Sequence, residues 1–585
     1  MAHSKLETEE SWKLICEGMS PSLNQAMNVE QKNAEDERRL EESTKIGVYM
    51  RQLMMRYEEL RGQVPGDVGA EFWDMVVISA GDQEQRAWYE AQLELKHESG
   101  ELPRVQYLVV PDPPGPRIGS GGSTLHILTQ LSDQYSDDQL EQWRILIIHA
   151  GGFSKRLPSH SCSGKIFSPL PVEATTGGCY QMLDLKLAMY LPFLNMMEAG
   201  VFVTASDDIE VYSMDEHMDL SEVRGECVTA LAHPSSMYIG TTHGVYVMPA
   251  TAALHTISPC LEVLQKPSVD LMRERGAVIT LNNDDGETTE TVYSDSAFWF
   301  HSQTSKKLMK LYQDLDCSLG TEVCIYGDFL TCLGERKTKH YTENLYRDKS
   351  DSRDQVVKKM LNEHVGDTRL NVLCLHLSKF YHLGTTQEYL QGLTCDPQLR
   401  VELNLTNIVS SRLSDGGNDI SGIVLNCVID KPIRVPHDSV VEYSIVRSEV
   451  VVGNKTILSN VEITDNVTVP PCFLYHTIPV LVNINSEPVR RYVTVAFHVT
   501  DDMKFSTSVS QAENLQFGGS LMEKLFSLSP QTWSRQSVFA DSSSASLWSA
   551  RMFSAHDSMS ESFKHTVSMI SALTSEVRLY SFIRS

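Results

Sequence analysis

From Met75 to about residue 150 short apolar runs alternate with amphipathic stretches, in the order MVVISA, QRAWYEAQLELK, VQYLVV, STLHILTQL and RILIIHA. A strand that is apolar on both sides has to be covered on both sides, and a helical stretch between each pair of strands supplies the cover. The order therefore predicts an α/β unit, a parallel sheet wound with helices. Further apolar runs at Val201–Ala205, Cys227–Ala232, Val245–Met248 and Val278–Leu281 carry this unit to residue 398. Before it, residues 1–70 read as a helical extension, because Ile46, Tyr49, Met50, Leu53, Met54 and Tyr57 recur at helical spacing.

Beyond residue 398 the period changes. Ile423, Ile429, Val435 and Val441 fall six residues apart, and after one slip so do Ile445, Val451, Ile457, Ile463 and Val469. A six-residue repeat of branched aliphatics suits a parallel β-helix, in which each short strand turns one side chain onto a shared ladder, so residues 399–500 are assigned to such a domain. The Ser- and Met-rich tail, residues 501–585, has no clear period and is expected to mix helix with loop. A chain of 585 residues is too long for one core, which agrees with this division.

Composition excludes several classes. The net charge of −26 is the wrong sign for a nucleic-acid binder, and no apolar run reaches the length of a membrane-spanning helix. The N-terminus is polar and acidic, and the twelve cysteines are scattered with no CxxC pair. Reduced thiols and a cytoplasmic location are the expectation. Nothing in the sequence fixes the oligomeric state.

The densest chemical signal follows the run RILII: His149-Ala150-Gly151-Gly152-Phe153-Ser154-Lys155-Arg156-Leu157-Pro158, then Gly164-Lys165. Glycines after a buried strand let backbone N–H groups approach a phosphate, and adjacent cations neutralise it. The spacing fits neither a Walker A loop nor GxGxxG. It does resemble the GGxxxR…PK signature of the sugar-nucleotide pyrophosphorylases. Asp207-Asp208 after Val201–Ser206, Val263-Leu264-Gln265-Lys266-Pro267 and Asp295–Phe300 resemble that family's metal, sugar-phosphate and sugar-pocket segments. The run Pro113-Pro114-Gly115-Pro116-Arg117-Ile118-Gly119-Ser120-Gly121-Gly122-Ser123-Thr124 resembles the branch acting on L-fucose 1-phosphate, including the guanylyltransferase half of bifunctional fucokinases.

The resemblance implies a Rossmann-like nucleotidyltransferase domain followed by a β-helix, and transfer of GMP from GTP to L-fucose 1-phosphate with release of pyrophosphate. Its implied catalytic residues are Arg156, Lys165, Asp207 and Lys266, with Gly119, Gly121, Gly122, Gly151, Gly152, Ser154 and Lys155 on the nucleotide. Mg2+ is the implied cofactor, held by Asp207 and Asp208. His382 stands where many relatives carry a second metal-binding Asp, with Asp328 a possible substitute. The sugar phosphate would come from a separate kinase, since no kinase-like block is present. A different hexose 1-phosphate, a non-catalytic nucleotide-sugar-binding protein, and acyl transfer in the repeat using His437 or His476 are the alternatives.

Overall fold

The computed structural model describes residues 21–175, 177–214, 225–251, 256–282, 288–336, 352–528, 533–540 and 543–574. The helical reading of residues 1–20 and the tail residues 575–585 lie outside them. Helix α1, Pro21–Leu60, buries Ile46, Met50, Leu53, Met54, Tyr57 and Leu60, the face its spacing predicts.

The α/β unit begins with β1 (Met75–Ala80), α2 (Gln83–Glu98), β2 (Gln106–Pro111), α3 (Gly119–Gln134) and β3 (Arg144–His149). It continues through β4 (Gly200–Ala205), β5 (Asp208–Ser213), β6 (Cys227–Ser235), β7 (Thr288–His301), β8 (Arg369–Cys374) and β9 (Leu377–His382). In the large sheet the order runs β2-β1-β3-β4-β7-β6-β8. Strands β2, β1, β3 and β4 are parallel, as expected. Strand β7 then runs antiparallel to both β4 and β6, so the wholly parallel sheet is corrected to a mixed one. Apolar runs buried on both faces look alike in either direction, which is why the pattern hides this reversal.

Alternate residues of β1 face two different cores. Val76 and Ile78 join Tyr89 and Leu93 of α2, whereas Met75 and Val77 join Leu125 and Leu128 of α3. The two helices thus cover opposite faces. Because β1 leads to β2 on one side and β3 leads toward β4 on the other, the loops at their C-terminal ends part and leave a crevice, the usual ligand position in such sheets.

After residue 405, short strands pair in three parallel stacks, beginning at Ile408–Val409, Asp419–Ile420 and Val428–Ile429. Ile423 lies beside Val440, which lies beside Ile457, so the structural repeat is seventeen residues. Ile429, Val435, Val441, Val446, Val452, Leu458, Ile463 and Val469 are all buried, in steps of six, six and five. The six-residue period therefore slips in every repeat and not once. Its second phase fails at Val451, which is 42% exposed while Val452 is buried.

The first stack ends in a long hairpin, Phe473–Ile484 with Glu487–His498. In the tail, helix α4, Met559–Thr574, packs on the hairpin's second strand and shares a core with it through Phe563, Val567 and Ile570. The eleven described cysteines are free thiols. No described helix is long and apolar enough to cross a membrane.

The seventeen-residue phase predicts that Leu458→Ala costs about 2–5 kcal/mol, a buried truncation. Val451→Ala should stay within about 0.5 kcal/mol. Urea titrations of the two variants measure this, and equal losses would contradict the phase.

Candidate functional site

The crevice is closed at its base by two glycine turns. A Cβ on Gly151 would lie 3.0 Å from the Ala80 carbonyl carbon and the Gly81 nitrogen, and one on Gly81 would lie 3.1 Å from the Gly152 nitrogen. Only glycine allows β1 and β3 to end so close together. Two side chains then pin the turns. Ser79 Oγ accepts from the N–H groups of Ala150 and Gly151 at 3.0 and 3.2 Å. Gln85 Oε1 accepts from Gly81 and Gly152 at 2.7 and 3.1 Å, and its amide nitrogen donates to Gly152 O at 2.9 Å. Neither Ser79 nor Gln85 stands out in the sequence, because their roles depend on the contact between the two turns.

The rest of the predicted phosphate loop projects from this base. Ser154 has φ of +46°, a left-handed conformation rare outside glycine. Lys155 and Arg156 follow, and no described carboxylate comes within ion-pair distance of either. The Lys155 ammonium instead lies 5.7 Å from the centre of the Trp548 ring, which is 38% exposed. The tail thus reaches the loop, a contact that sequence distance conceals.

Asp207 follows β4, next to that loop. Lys165 Nζ donates to its Oδ2 at 2.7 Å and to Gly384 O at 3.0 Å. His382 Nε2 lies 3.4 Å from the same oxygen, and its Nδ1 lies 3.0 Å from Glu388. Burial works against charge on Asp207, but His382 and Lys165 outweigh it and hold the carboxyl far below the usual carboxylate range. Burial likewise disfavours the charged His382 ring, yet Asp207 and Glu388 raise its pKa to about 9. The segment after β9 also ties the parts together, since Leu383 N donates to Asp207 O and Thr386 N to Arg156 O, both at 2.8 Å.

Asp208 does not join Asp207. It begins β5, where successive side chains alternate, and its carboxylate turns inward onto the buried Lys186 ammonium. Burial pushes its pKa up to about 6 despite that lysine. Asp328 is also spent elsewhere, accepting from Cys324 N at 2.7 Å and facing Lys358 at 3.4 Å.

The glycines of the upstream motif pack closely against the segment Leu319–Val323. A Cβ on Gly119 or Gly121 would meet Val323 O at 2.5 or 2.9 Å, and one on Gly122 would meet Leu319 at 2.6 Å. Gly121 N already donates to Val323 O at 2.7 Å, so its N–H is not offered to a nucleotide. Lys266 is exposed, with φ of +46° directly before Pro267, and no partner for its ammonium is among the described residues. Its backbone N donates to His243 O, and the His243 ring packs edge-on against Phe380 of β9. Phe298, Trp299 and Phe300 are core residues of β7.

A Ser168–His160–Glu442 arrangement resembles a nucleophilic triad, with contacts of 2.6 and 3.4 Å, but all three residues are buried. Tyr389 also donates to Glu442 at 2.7 Å, and the group joins the exit of the phosphate loop to the first parallel stack. His476 is buried there too, on Ser459, with its pKa pushed down to about 4 by burial. An acyl-transfer base has no access at that position.

The sheet edge thus gathers the cations of Lys155, Arg156 and Lys165, the ionised carboxylate of Asp207 and a glycine loop whose Gly151 and Gly152 N–H groups are taken up by Ser79 and Gln85. Residues 137–558 match the family model for the fucose pyrophosphorylase domain, and the chain belongs to that family. It is 37% identical over 542 residues to mouse fucose-1-phosphate guanylyltransferase, covering 89% of this chain and 90% of the mouse protein. The human protein of that name is 36% identical, covering 89% and 87% of the two chains. An Arabidopsis thaliana bifunctional fucokinase/GDP-fucose pyrophosphorylase is 26% identical over 63% of this chain and 36% of its own length.

If Gln85 is the clamp of the glycine turns, Gln85→Ala should speed hydrogen exchange at Gly81 and Gly152 by about tenfold or more, the loss of about one hydrogen bond each. Unchanged exchange would show that packing alone holds the turns.

Proposed function

We propose that the protein transfers GMP from GTP to L-fucose 1-phosphate, giving GDP-L-fucose and pyrophosphate. The observation that carries this reading is the Lys165–Asp207 pair, tied through the segment after β9 to the loop that bears Lys155 and Arg156, in a chain whose mouse and human relatives bear that activity in their names. A phosphate oxygen of the sugar attacks the α-phosphorus of GTP, and the bond from that phosphorus to the β-phosphate oxygen breaks. Both reactants are anions, so alignment and charge neutralisation supply the catalysis and no protein nucleophile is needed. Lys155 and Arg156, without a carboxylate partner among the described residues, face the departing pyrophosphate, with Arg156 able to make a paired contact. Lys266 meets the sugar phosphate. Lys165 leaves Asp207 for the phosphates as substrate arrives.

Asp207 fits Mg2+. It is ionised, its side chain is 23% exposed, and Mg2+ commonly takes one or two carboxylates together with substrate phosphates. Bound there, the ion would act as a Lewis acid and template for the phosphates. Asp208, paired to Lys186, is not part of that set. His382 is the neighbour that holds Asp207 in place.

The finer reading of the C-terminal half is that its three parallel stacks wind as one three-sided coil, a β-helix of seventeen residues per turn, supported by the common register shift. The free thiols suit the reducing cytosol.

Pyrophosphate release, measured with each of four nucleoside triphosphates against the 1-phosphates of fucose, mannose, glucose and N-acetylglucosamine, tests the function. Turnover confined to GTP and fucose 1-phosphate is expected, and a different preferred pair would overturn the substrate assignment. Lys165→Ala and Asp207→Asn should each lower kcat/KM about 100-fold or more, and chelation of divalent metal should abolish turnover. Trp548→Ala should raise the KM for nucleotide several-fold with little change in kcat, if its ring holds Lys155 against the triphosphate.

A further inference from the structure

The strand order sets out the site in a line. Asp207 lies beyond β4, the phosphate loop beyond β3, the Gly81 turn beyond β1, and the segment Asp112–Ile118 beyond β2. Adjacent strands are about 4.8 Å apart, so β4 and β2 are separated by three intervals, roughly 14 Å. With the reacting phosphates at the β4 and β3 end, a nucleotide extended along the edge brings its base to β1 and β2.

Two carboxylates stand at that end. Asp82 is committed: its Oδ1 caps α2 by accepting from Gln85 N at 2.8 Å. Asp112 is not. Its backbone N donates to Ala80 O at 2.8 Å, which fixes it beside the glycine turns, and the donor to its half-buried side chain among the described residues is the Ser123 hydroxyl. No cation pairs with it among the described residues. Pro113, Pro114 and Pro116 follow at once and restrict the segment, so Asp112 is held before a ligand arrives. Burial raises its pKa to about 6. A partly desolvated carboxylate without a cation is costly unless donors reach it.

We propose that Asp112 reads the guanine base, its two carboxylate oxygens accepting hydrogen bonds from the N1–H and the 2-amino group. This rests on the guanylyl-transfer reading above. The chemistry is selective because guanine presents two adjacent donors on that edge. Adenine presents an acceptor at N1, and uracil flanks its single N–H with two carbonyl oxygens, so both set lone pairs against the carboxylate. Asp112 is then a specificity residue, distant from the reacting phosphorus.

The test compares GTP, inosine triphosphate, which lacks the 2-amino group, and xanthosine triphosphate, which carries a carbonyl oxygen there. Wild-type enzyme is expected to prefer GTP over both. Asp112→Asn should lose about 100-fold in kcat/KM for GTP and gain at least 10-fold for xanthosine triphosphate, since an amide can donate to the 2-carbonyl while accepting from N1–H. Asp112→Glu, which keeps the carboxylate, should retain the order of preference, and thermal melts confirm that each variant is folded. If Asp112→Asn keeps the wild-type ratios among the three nucleotides in an enzyme that prefers GTP, the assignment fails and the guanylyl reading stands. If the wild type prefers a triphosphate other than GTP, both fail.

Discussion

The site depends on a contact that tolerates no side chain. Where β1 and β3 end, Gly81 and Gly151 approach until a Cβ on either would touch the other turn's backbone. That closeness brings Ser79 and Gln85 within reach of the phosphate loop's N–H groups, and the loop is thereby anchored to the centre of the sheet. Everything further along the edge takes its position from this anchor: the Lys155 and Arg156 cations, the Thr386 bond to Arg156 O, and Asp207 behind them. A larger residue at either turn would push the strand ends apart and shift the whole row.

Charge at the edge is arranged against an unfavourable background. The chain carries a net charge of −26, yet among the described residues no carboxylate pairs with the loop cations Lys155 and Arg156, and a third, Lys165, is held on Asp207. The neighbouring pair works differently. Lys186 and Asp208 are buried together, with Tyr190 and Thr204 completing the lysine's contacts, so they fix β5 and offer nothing to a ligand. Two adjacent aspartates therefore have opposite duties, one facing the crevice and one facing the core, because a strand begins between them.

Much of this was legible in the sequence. The apolar runs fell on strands nearly residue for residue, as MVVISA did on β1, because burial on both faces leaves a strong pattern. Lys165 and Asp207, both singled out in the sequence, lie together beside the loop Gly151–Arg156, although their pairing with each other was not foreseen. What pattern could not carry was direction and partnership. The antiparallel β7 looks like any other buried run, and nothing in the spacing of the glycines at 119, 121 and 122 tells that the 319–323 segment packs beside them. Ser79, Gln85 and Trp548 matter through neighbours far away in the chain. The seventeen-residue repeat was visible only as a six-residue one, since five-residue steps are the exception within it.

The contact between Trp548 and Lys155 has a consequence for the order in which the protein is made. A ribosome releases the strand ends, the glycine turns and Asp207 long before it reaches the tail, and domains generally fold in that sequence. The phosphate loop can then be built early, but its Lys155 has no aromatic ring to rest on until nearly the entire chain has emerged. A nascent chain that has not yet reached Trp548 therefore lacks the ring on which Lys155 rests.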